Sequence, residues 1–598
     1  MSILTELKRR NVHRVAIAYV AAAWLIIQVA ETLLPVFGAS PNALRTLVIL
    51  LAIGFFPAMV LAWRFEWTPS GIVRDSPGRP SSSAAPSKGL DRAITLVLVA
   101  AVAYFAVDKF VLSGKERIGD KSIAVMPFDN IGGGDSSEFL AVGLPIELTN
   151  LFASIPRLRV VASNTTETFR ETDFDPVEAA SKMNVNHLLV GSVRRADERI
   201  RVAVQLIRPD DQTQLWSQIY ERSLEDVFTI QDDIAARVVG HLRIPLSGEP
   251  PTSKQINPRA YERYIEGHHL THTVRTRDAF VEAERLLEQV VEMEPAYVPA
   301  LWSLARAVFN LGDYSDPNER QRRLEYVDEL VARMVEIAPD SSYANGWLAA
   351  FAARDGDLQA SAHYRERAIA GGTDTNVYQQ LAASAWLLSV LGRTEESIPL
   401  AKYVVARDPA CTACVYQLAF ALRTAGQHRE AAIALEKLAD WRELAPNIAW
   451  SAGVAWLVAG EPGRALEHFD SANEEGSMSI GRAMALHDLG RTEEFQELFT
   501  LMRSNAHEHP EGIARIAAWT GQADLAFEYL DLMIEEDDSF PVASIRTDLY
   551  EPIKSDPRWQ VFLDQHGASD DDLDEIEFNP KLPDEVLATI SRAQADGG

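Results

Sequence analysis

The stretch "VYQLAFALRTAGQHREAAIALEKL" (residues 415–438) decides the fold of most of this 598-residue chain. An apolar helical segment ends at Gly426, and a second helical segment follows with a small residue, Ala431, five positions later. Glycine readily adopts the backbone conformation that ends a helix, and the small residue lets the next helix pack closely. The stretch therefore predicts two packed helices joined by a tight turn.

Glycines in the same setting recur at intervals of 30 to 44 residues. They are Gly312, Gly356, Gly392, Gly426, Gly460, Gly490 and Gly521. A period near 34 is that of the tetratricopeptide repeat, and residues 257–539 resemble degenerate repeats of this kind, most closely at 415–438 and at "IAWSAGVAWLVAGEPGRALEHFDSA" (448–472). The resemblance implies an all-α solenoid with a groove that binds proteins.

Two segments follow the predicted repeats. Residues 540–567 look like the carboxy-terminal cap often seen after such arrays, and residues 568–598, with "DDDLDEIE", are acidic. A run of like charges favours a solvated tail. We therefore expect the tail to be partly ordered at best.

Residues 118–245 alternate short apolar strands with helical segments. A strand at "KSIAVMPFDN" precedes an amphipathic helix, a second strand and a second helix, and three closely spaced strands and a last helix complete the order β-α-β-α-β-β-β-α. This order predicts a compact α/β domain with a mixed sheet. The Gly-rich loop "NIGGGDSSEF" lacks the lysine and spacing of a phosphate-binding loop.

Motifs along this domain resemble the TolB amino-terminal-domain-like module of bacteria, which often precedes tetratricopeptide repeats. They are "SIAVMPFDN", "GLPIELTNLF", "GSVRR", "RIRVAVQLI", "LWSQIYER" and "DVFTIQDDIA", in order between about 120 and 240. The resemblance implies a cell-envelope domain associated with protein interaction or sensing. It carries over no catalytic residues.

Three apolar stretches lie in residues 1–117, at about 15–37, 44–63 and 93–112. Each approaches the roughly 20 residues that a helix needs to cross a bilayer, so we predict a membrane anchor of three transmembrane helices. Residues 64–92 between the second and third helices contain "SPGRPSSSAAPSKG" and predict an inside linker.

Basic residues before the first stretch and in 64–92 place these segments inside. The predicted location is the bacterial inner membrane, with the amino terminus in the cytoplasm and everything after about residue 113 in the periplasm. The expected fold class is therefore a multidomain membrane protein with three transmembrane helices, a small α/β domain with a mixed sheet, and an all-α solenoid of tetratricopeptide type.

The formal net charge of −28 excludes one class of partner. Because residues 1–117 are net basic, the rest of the chain is more acidic than the total. Such a body repels phosphate backbones. We expect protein partners in the groove and lipid contacts at the anchor, and no nucleic acid.

No motif for catalysis or for a cofactor stands out, and we expect none. The densest histidine cluster, "EGHHLTH" (266–272), places His268 and His272 four residues apart, on one face if helical. That spacing suits a metal, but a zinc site of the HExxH type needs Glu at position 269, where this chain has His. A polar helix surface is the favoured interpretation.

The two cysteines of the chain, Cys411 and Cys414, lie in "DPACTACVYQLA" at the start of a repeat. A tetrahedral zinc site needs four ligands, and the chain has no other cysteines. Thioredoxin-like chemistry needs a strand before the pair, and the predicted context here is all-helical. Two interpretations stay open: a local disulfide in an oxidising periplasm, or two buried reduced cysteines in the repeat seam.

These features predict a membrane-anchored cell-envelope scaffold that uses its solenoid and its TolB-like domain to bind partner proteins. The alternative is a transmembrane receptor whose outer domain senses a ligand or the state of the envelope. An enzyme is the third and least favoured class.

Overall fold

The computed structural model describes residues 121–596 with short gaps, and near the amino terminus Leu51 and residues 65–68 and 71–74. The gaps are 133–134, 156–157, 171–173, 197–198, 245–251, 254, 275, 373–375, 443, 472–475, 505–509 and 537–544. The chain divides into two compact units, Met1–Leu112 and Ser113–Gly598.

In the first unit, strands β1 (Phe65–Thr68) and β2 (Gly71–Arg74) form an antiparallel hairpin. The hairpin lies at the start of the predicted inside linker 64–92, so that part of the linker is not irregular. Among the described residues, none of the helices combines the length and the hydropathy that crossing a bilayer requires. The predicted transmembrane helices 15–37, 44–63 and 93–112 lie outside the described residues, Leu51 excepted.

The α/β domain has the predicted mixed sheet with one short strand added. Its elements are β3 (Ser122–Val125), β4 (Asp129–Asn130), α1 (Asp135–Ala153), β5 (Arg159–Val160), α2 (Pro176–Met183), β6 (His187–Ala196), β7 (Arg199–Arg208), β8 (Thr213–Ser223) and α3 (Val227–His241). The strand order is β5-β3-β6-β7-β8, with β4 beside β6. Parallel pairing joins β3 to β5 and β6, whereas β6, β7 and β8 pair antiparallel.

Alternation along β7 explains which face of the sheet is covered. Ile200, Val202 and Val204 are fully buried, while Arg199 before them and Arg201 between them are exposed. Successive side chains of a strand point to opposite faces, so one face of β7 packs into the core beneath the helices. This face of the sheet belongs to the same buried cluster as the first helices of the array.

The predicted helical solenoid is confirmed as a series of eight helix pairs within the described residues. The pairs are α4 (Pro258–His269) with α5 (Arg277–Met293), α6 (Val298–Gly312) with α7 (Pro317–Ile337), α8 (Ser342–Arg354) with α9 (Leu358–Ala370), α10 (Asn376–Val390) with α11 (Thr394–Val405), α12 (Thr412–Thr424) with α13 (His428–Glu436), α14 (Pro446–Val458) with α15 (Pro462–Ser471), α16 (Gly476–Asp488) with α17 (Thr492–Ser504), and α18 (Pro510–Trp519) with α19 (Ala523–Glu536).

Six of the seven turn glycines adopt the left-handed conformation that ends the first helix of a pair. Their φ angles lie between 70° and 80°, at Gly356, Gly392, Gly426, Gly460, Gly490 and Gly521. Gly312 differs, because it is the last residue of α6 and Asp313 after it is still right-handed. Backbone hydrogen bonds from Tyr314 and Ser315 to the end of α6 extend the turn, so no left-handed residue is needed there.

The acidic tail is more ordered than we expect from its charge. Ser569 and Asp572 form a capping box that starts α21 (Asp570–Asp574), and α22 (Asp584–Asp596) follows, after the cap helix α20 (Pro557–Gln565). Apolar residues spaced through the acidic run are buried: Leu573, Phe578, Leu582, Val586 and Ile590. The expectation of a tail that is partly ordered at best therefore does not match the structure, because these side chains belong to the buried cluster of the solenoid.

The α/β domain and the solenoid share one hydrophobic core. A single cluster of buried side chains runs from the sheet through α1 and α3 into helices α4 to α8. Gly143 of α1 allows this contact, because a Cβ there would lie 2.8 Å from the side chain of Ile265 in α4. The segments 118–245 and 257–539 therefore belong to one compact unit.

Candidate functional site

A segment of the α/β domain that runs from β5 into the short helix Ser163–Thr166 is hydrogen-bonded to the turn between α11 and α12. The backbone N–H of Ala162 donates to the carbonyl of Arg407 at 2.9 Å, and Nη1 of Arg159 donates to the carbonyl of Ala406 at 2.8 Å. The backbone N–H of Ala410 donates to Oγ1 of Thr165 at 3.1 Å. We call these two segments, 159–165 and 406–410, the junction clamp.

Further contacts extend the same docking to neighbouring repeats. The hydroxyl of Tyr378 in α10 donates to the carbonyl of Val160 at 3.4 Å, and Nζ of Lys182 lies 4.2 Å from the ring centroid of Trp441. The α/β domain therefore covers part of the side formed by the first helices of the pairs. The predicted groove is partly filled by the chain itself.

Asp408 is the one carboxylate in the junction clamp, and it is 3 % exposed. Oγ1 of Thr165 donates to Oδ1 at 2.8 Å, and Nδ2 of Asn164 donates to Oδ2 at 3.2 Å. Burial raises the pKa of Asp408 to about 6, although these hydrogen bonds and the charge of Arg442 act in the opposite direction. A neutral acid and a carboxylate are therefore both accessible near pH 6.

Beside the clamp lies a cavity of about 50 Å³, which we call the junction cavity. Its lining is rich in aromatic rings and side-chain amides: Ile146, Asn150, Ala162, Ser163, Asn164, Tyr264, His268, His272, Trp302, Tyr343, Asn376, Gln379 and Asp408. The rings of His272 and Trp302 are stacked with centroids 5.1 Å apart, and Trp302 meets Tyr343 edge to face at 5.3 Å. Its volume is well below the roughly 300–1,000 Å³ of pockets that hold drug-sized ligands, so the space suits one or a few water-sized groups.

His268 and His272 belong to this ring series. His268 lies in the last turn of α4, His272 lies in the π-helical turn Leu270–Val274, and their ring centroids are 4.2 Å apart. Burial, with the nearby charge of Arg306, lowers the pKa of His268 to about 3, and its Nδ1 lies 3.1 Å from Oγ of Ser303. In the described part of the chain, no third metal ligand joins these two histidines. They are half-buried residues that line the cavity and not the polar helix surface that the sequence favours.

Cys411 and Cys414 are joined by a disulfide in the structure. Cys411 is the N-cap of α12, and the backbone N–H of Cys414 donates to its Sγ at 3.1 Å. Cys411 is 7 % exposed and Cys414 is 1 % exposed. One carboxylate oxygen of Asp408 lies within 4.8 Å of both sulfurs. The disulfide therefore directly follows the clamp, a position that spacing alone does not reveal.

A second concavity, of about 720 Å³, lies farther along the array, and we call it the cap groove. The carboxy-terminal ends of first helices form one wall and the cap forms the other, with the lining Ser389, Val390, Gly392, Phe420, Arg423, Thr424, Gly426, His428, Val458, Trp519, Arg546, Thr547, Asp548, Glu551, Pro552, Lys554, Trp559, Gln560, Leu563 and Asp570. It is large enough for several side chains of an extended peptide.

An ion-pair group fixes the cap against α12. Nε of Arg423 donates to Oδ2 of Asp548 at 3.1 Å, and Nδ1 of His428 lies 3.3 Å from the same oxygen. Burial opposes ionisation of Asp548, but the charge of Arg423 and the hydrogen bonds from His428 and Arg423 outweigh it and lower its pKa. Asp548 is thus a carboxylate at neutral pH, and the groove wall carries balanced charge.

Sequence reasoning missed Asp408 and the aromatic ring series. Asp408 precedes Pro409, and in the sequence this pair indicates only the boundary between two repeats. Tyr264, Trp302 and Tyr343 come from three successive first helices. Aligning the repeats could have shown this recurrence, but it could not have shown that the α/β domain closes over the rings.

A family model matches residues 119–237, and its description is "HilA/YgeH-like transcriptional regulator, second domain". The match covers the α/β domain, the region that resembles the TolB-like module. It spans about a fifth of the chain and concerns that domain alone.

A curated relative is "Putative adenylate cyclase 3" of Rhizobium meliloti (strain 1021), 30% identical over 188 residues. The match covers 31% of this chain and 32% of the relative, so the chain spans about a third of the length of the curated relative it matches. The adenylate cyclase activity in its name refers to the whole relative, of which the match covers 32%.

Solved structures with a related fold include tetratricopeptide proteins. PilW, a type IV pilus biogenesis factor, is 17% identical over 36% of this chain and 96% of its own, with a TM-score of 0.28. YrrB, a TPR protein with an unusual peptide-binding site, is 14% identical over 35% of this chain and 97% of its own, with a TM-score of 0.22. The helix pairs and their glycine turns, not these likenesses, define the solenoid here.

Proposed function

We propose that this chain is a membrane-anchored scaffold of the bacterial cell envelope that binds an extended segment of a partner protein in the cap groove. The observation that carries the proposal is the 720 Å³ concavity between first-helix ends and the cap. The α/β domain occupies the other part of the first-helix side. The cap groove is therefore the surface left for a partner.

The lining of the cap groove suits a peptide with both apolar and polar side chains. Phe420, Trp519 and Trp559 supply aromatic surface, and the exposed residues Thr424 and Gln560 supply hydrogen-bonding groups. Aromatic residues are enriched at binding hot spots. No enzymatic activity is part of the proposal.

Selection of peptides from a random dodecamer library on the full chain tests this function. Gln560→Arg places a long charged side chain in the groove, so the selected peptides should bind this variant at least about tenfold more weakly, a change of 1.4 kcal/mol. Gln565→Arg is the matched control, because Gln565 is exposed on the same helix but does not line the groove. Equal binding to both variants, or failure to select any peptide, would overturn the proposal.

The membrane anchor and the periplasmic location are part of the same proposal. They rest on the apolar stretches and the distribution of basic residues in 1–117. Reporter fusions after residue 115 test them: a periplasm-dependent reporter should be active and a cytoplasm-dependent reporter silent. The opposite result would place the solenoid in the cytoplasm and leave the peptide test unaffected.

The junction cavity favours a second candidate, a receptor for a small ligand. Ring stacking, amides and a buried carboxylate converge on this cavity, whose volume of about 50 Å³ limits the ligand to one of a few non-hydrogen atoms. A small-molecule thermal-shift screen on the full chain tests it, with Gln379→Leu expected to abolish any shift that Gln560→Arg leaves intact. A shift lost only in Gln560→Arg would assign the ligand to the cap groove instead.

A further inference from the structure

We propose that the Cys411–Cys414 disulfide is a redox site for an external dithiol, and that its reduction opens the junction clamp. The inference is independent of what binds in the cap groove or the junction cavity. It rests on three placements: the disulfide at the start of α12, the clamp directly before it, and a buried carboxylate beside the sulfurs.

The disulfide and the clamp are parts of one short segment. Residues 406–410 receive or donate the hydrogen bonds to the α/β domain, and Cys411 comes next as the N-cap of α12. Ala162 of the α/β domain belongs to the same buried cluster as Cys411 and Cys414. A change in the covalent state of the two cysteines therefore acts on the interface itself.

The two sulfurs differ in exposure and in surroundings, and these differences determine which of them the external thiolate attacks. Cys411 is the more exposed, and a helix N-terminus with a backbone N–H donor stabilises a thiolate at its position. The external thiolate attacks Sγ of Cys411, which breaks the intramolecular disulfide and releases Cys414, whose sulfur takes up a proton. The second thiolate of the dithiol then attacks the dithiol's own bound sulfur. The dithiol is oxidised to a disulfide, and Cys411 leaves as a thiolate held by the N–H of Cys414.

Reduction thus adds a second anion next to Asp408. The carboxylate and the new thiolate would lie within about 5 Å of each other in a buried setting, where like charges repel strongly. At neutral pH, where Asp408 is ionised, this repulsion weakens the hydrogen bonds that its carboxylate accepts from Thr165 and Asn164. The disulfide carries no charge and leaves these bonds intact.

The test uses the purified full chain in detergent micelles with dithiothreitol as the dithiol. After treatment without denaturant, iodoacetamide should add two groups per chain, seen by mass spectrometry. Hydrogen exchange of segments 159–166 and 406–414 should then become at least about tenfold faster, because local opening governs exchange. Exchange in β7 (199–208), which pairs with a strand on each side, should not change, and reoxidation should restore the slow rates.

The double variant Cys411→Ser/Cys414→Ser is the control for the reagent. Its exchange at the clamp should not respond to dithiothreitol. Two alkylated thiols with unchanged exchange at the clamp would overturn the proposal, and so would alkylation that requires denaturant. In the first case the disulfide has no influence on the clamp, and in the second it is a structural cross-link that a dithiol does not reach.

Discussion

The two halves of the solenoid bury their first-helix side in different ways. In the half that holds α4 to α11, the α/β domain docks through a polar clamp around Asp408, and a small cavity remains. In the half from α12 onward, helices pack on each other through apolar side chains, and the cap is held by the pair Arg423–Asp548 at the edge of a large groove. The α/β domain closes the first half, whereas the second half keeps a large concavity beside the cap.

Apolar packing should dominate the stability of the second half. The ring of Phe469 is fully buried between α14 and α16, where a Cβ on Gly453 or Gly481 would lie within 2.5 Å of it. Phe469→Ala leaves a cavity and should lower the free energy of unfolding by about 3–5 kcal/mol. Chemical denaturation followed by circular dichroism measures this, with the exposed Leu501→Ala as control. A loss below about 1 kcal/mol would mean that this half collapses around the missing ring.

The two buried carboxylates should give the halves opposite responses to pH. Asp408 has a raised pKa of about 6 against 3.8 in the unfolded chain, so the folded state holds its proton more tightly. Its contribution of about 3 kcal/mol to the folded state is fully present below about pH 4 and is lost as pH rises through about 6. Asp548, with its lowered pKa, stabilises the fold above pH 3.8, and this contribution is lost as pH falls below that value.

Hydrogen exchange of the clamp and of the cap between pH 4 and 8 measures both responses, after correction for the intrinsic rate. The clamp should be better protected at pH 5 than at pH 7.5, and Asp408→Asn should remove the difference. The cap should keep its protection over this range. A clamp that gains protection as pH rises would show that Arg442 or the neutral donors hold Asp408 ionised.

Some parts of this structure can be predicted from the sequence and others cannot. The glycine period and the alternation in β7 follow local rules, so the helix pairs and the mixed sheet were predictable. The clamp was not, because Thr165 and Asp408 are 243 residues apart and nothing local in either segment marks them as partners. The prediction for the acidic tail was mistaken for a different reason. It gave more weight to the number of acidic residues than to the spacing of Phe578, Val586 and Ile590, which are all buried.

Removal of one hydroxyl should loosen the clamp without touching the second half. Thr165 is fully buried, donates to Asp408 and accepts from the N–H of Ala410. Thr165→Val keeps the shape but leaves both partners without this bond, which should cost about 1–3 kcal/mol. Exchange at 406–414 should accelerate while the protection of α18 stays as in the wild type. Thr165→Ser, which keeps the hydroxyl, is the matched control and should lose clearly less.

The smallest effect is expected where the carboxy-terminal helix meets the solenoid near the clamp. Nη2 of Arg407 donates to Oε2 of Glu585 at 2.9 Å, and although the side chain of Arg407 is 6 % exposed, that of Glu585 is 41 % exposed. Solvent screens such a pair, so Glu585→Gln should cost about 0.5 kcal/mol, and less in 1 M salt. Asp584→Asn removes a neighbouring charge on the same helix and serves as the control in denaturation curves.

The size of that effect separates two roles for the carboxy-terminal helix. Its apolar residues Val586 and Ile590 already bury it against the array, so the ion pair adds orientation more than affinity. A loss above about 2 kcal/mol for Glu585→Gln would mean that Arg407 depends on this partner to balance a buried charge. The helix would then act on the clamp through Arg407, whose carbonyl accepts from Ala162, and the two halves would be coupled through the tail.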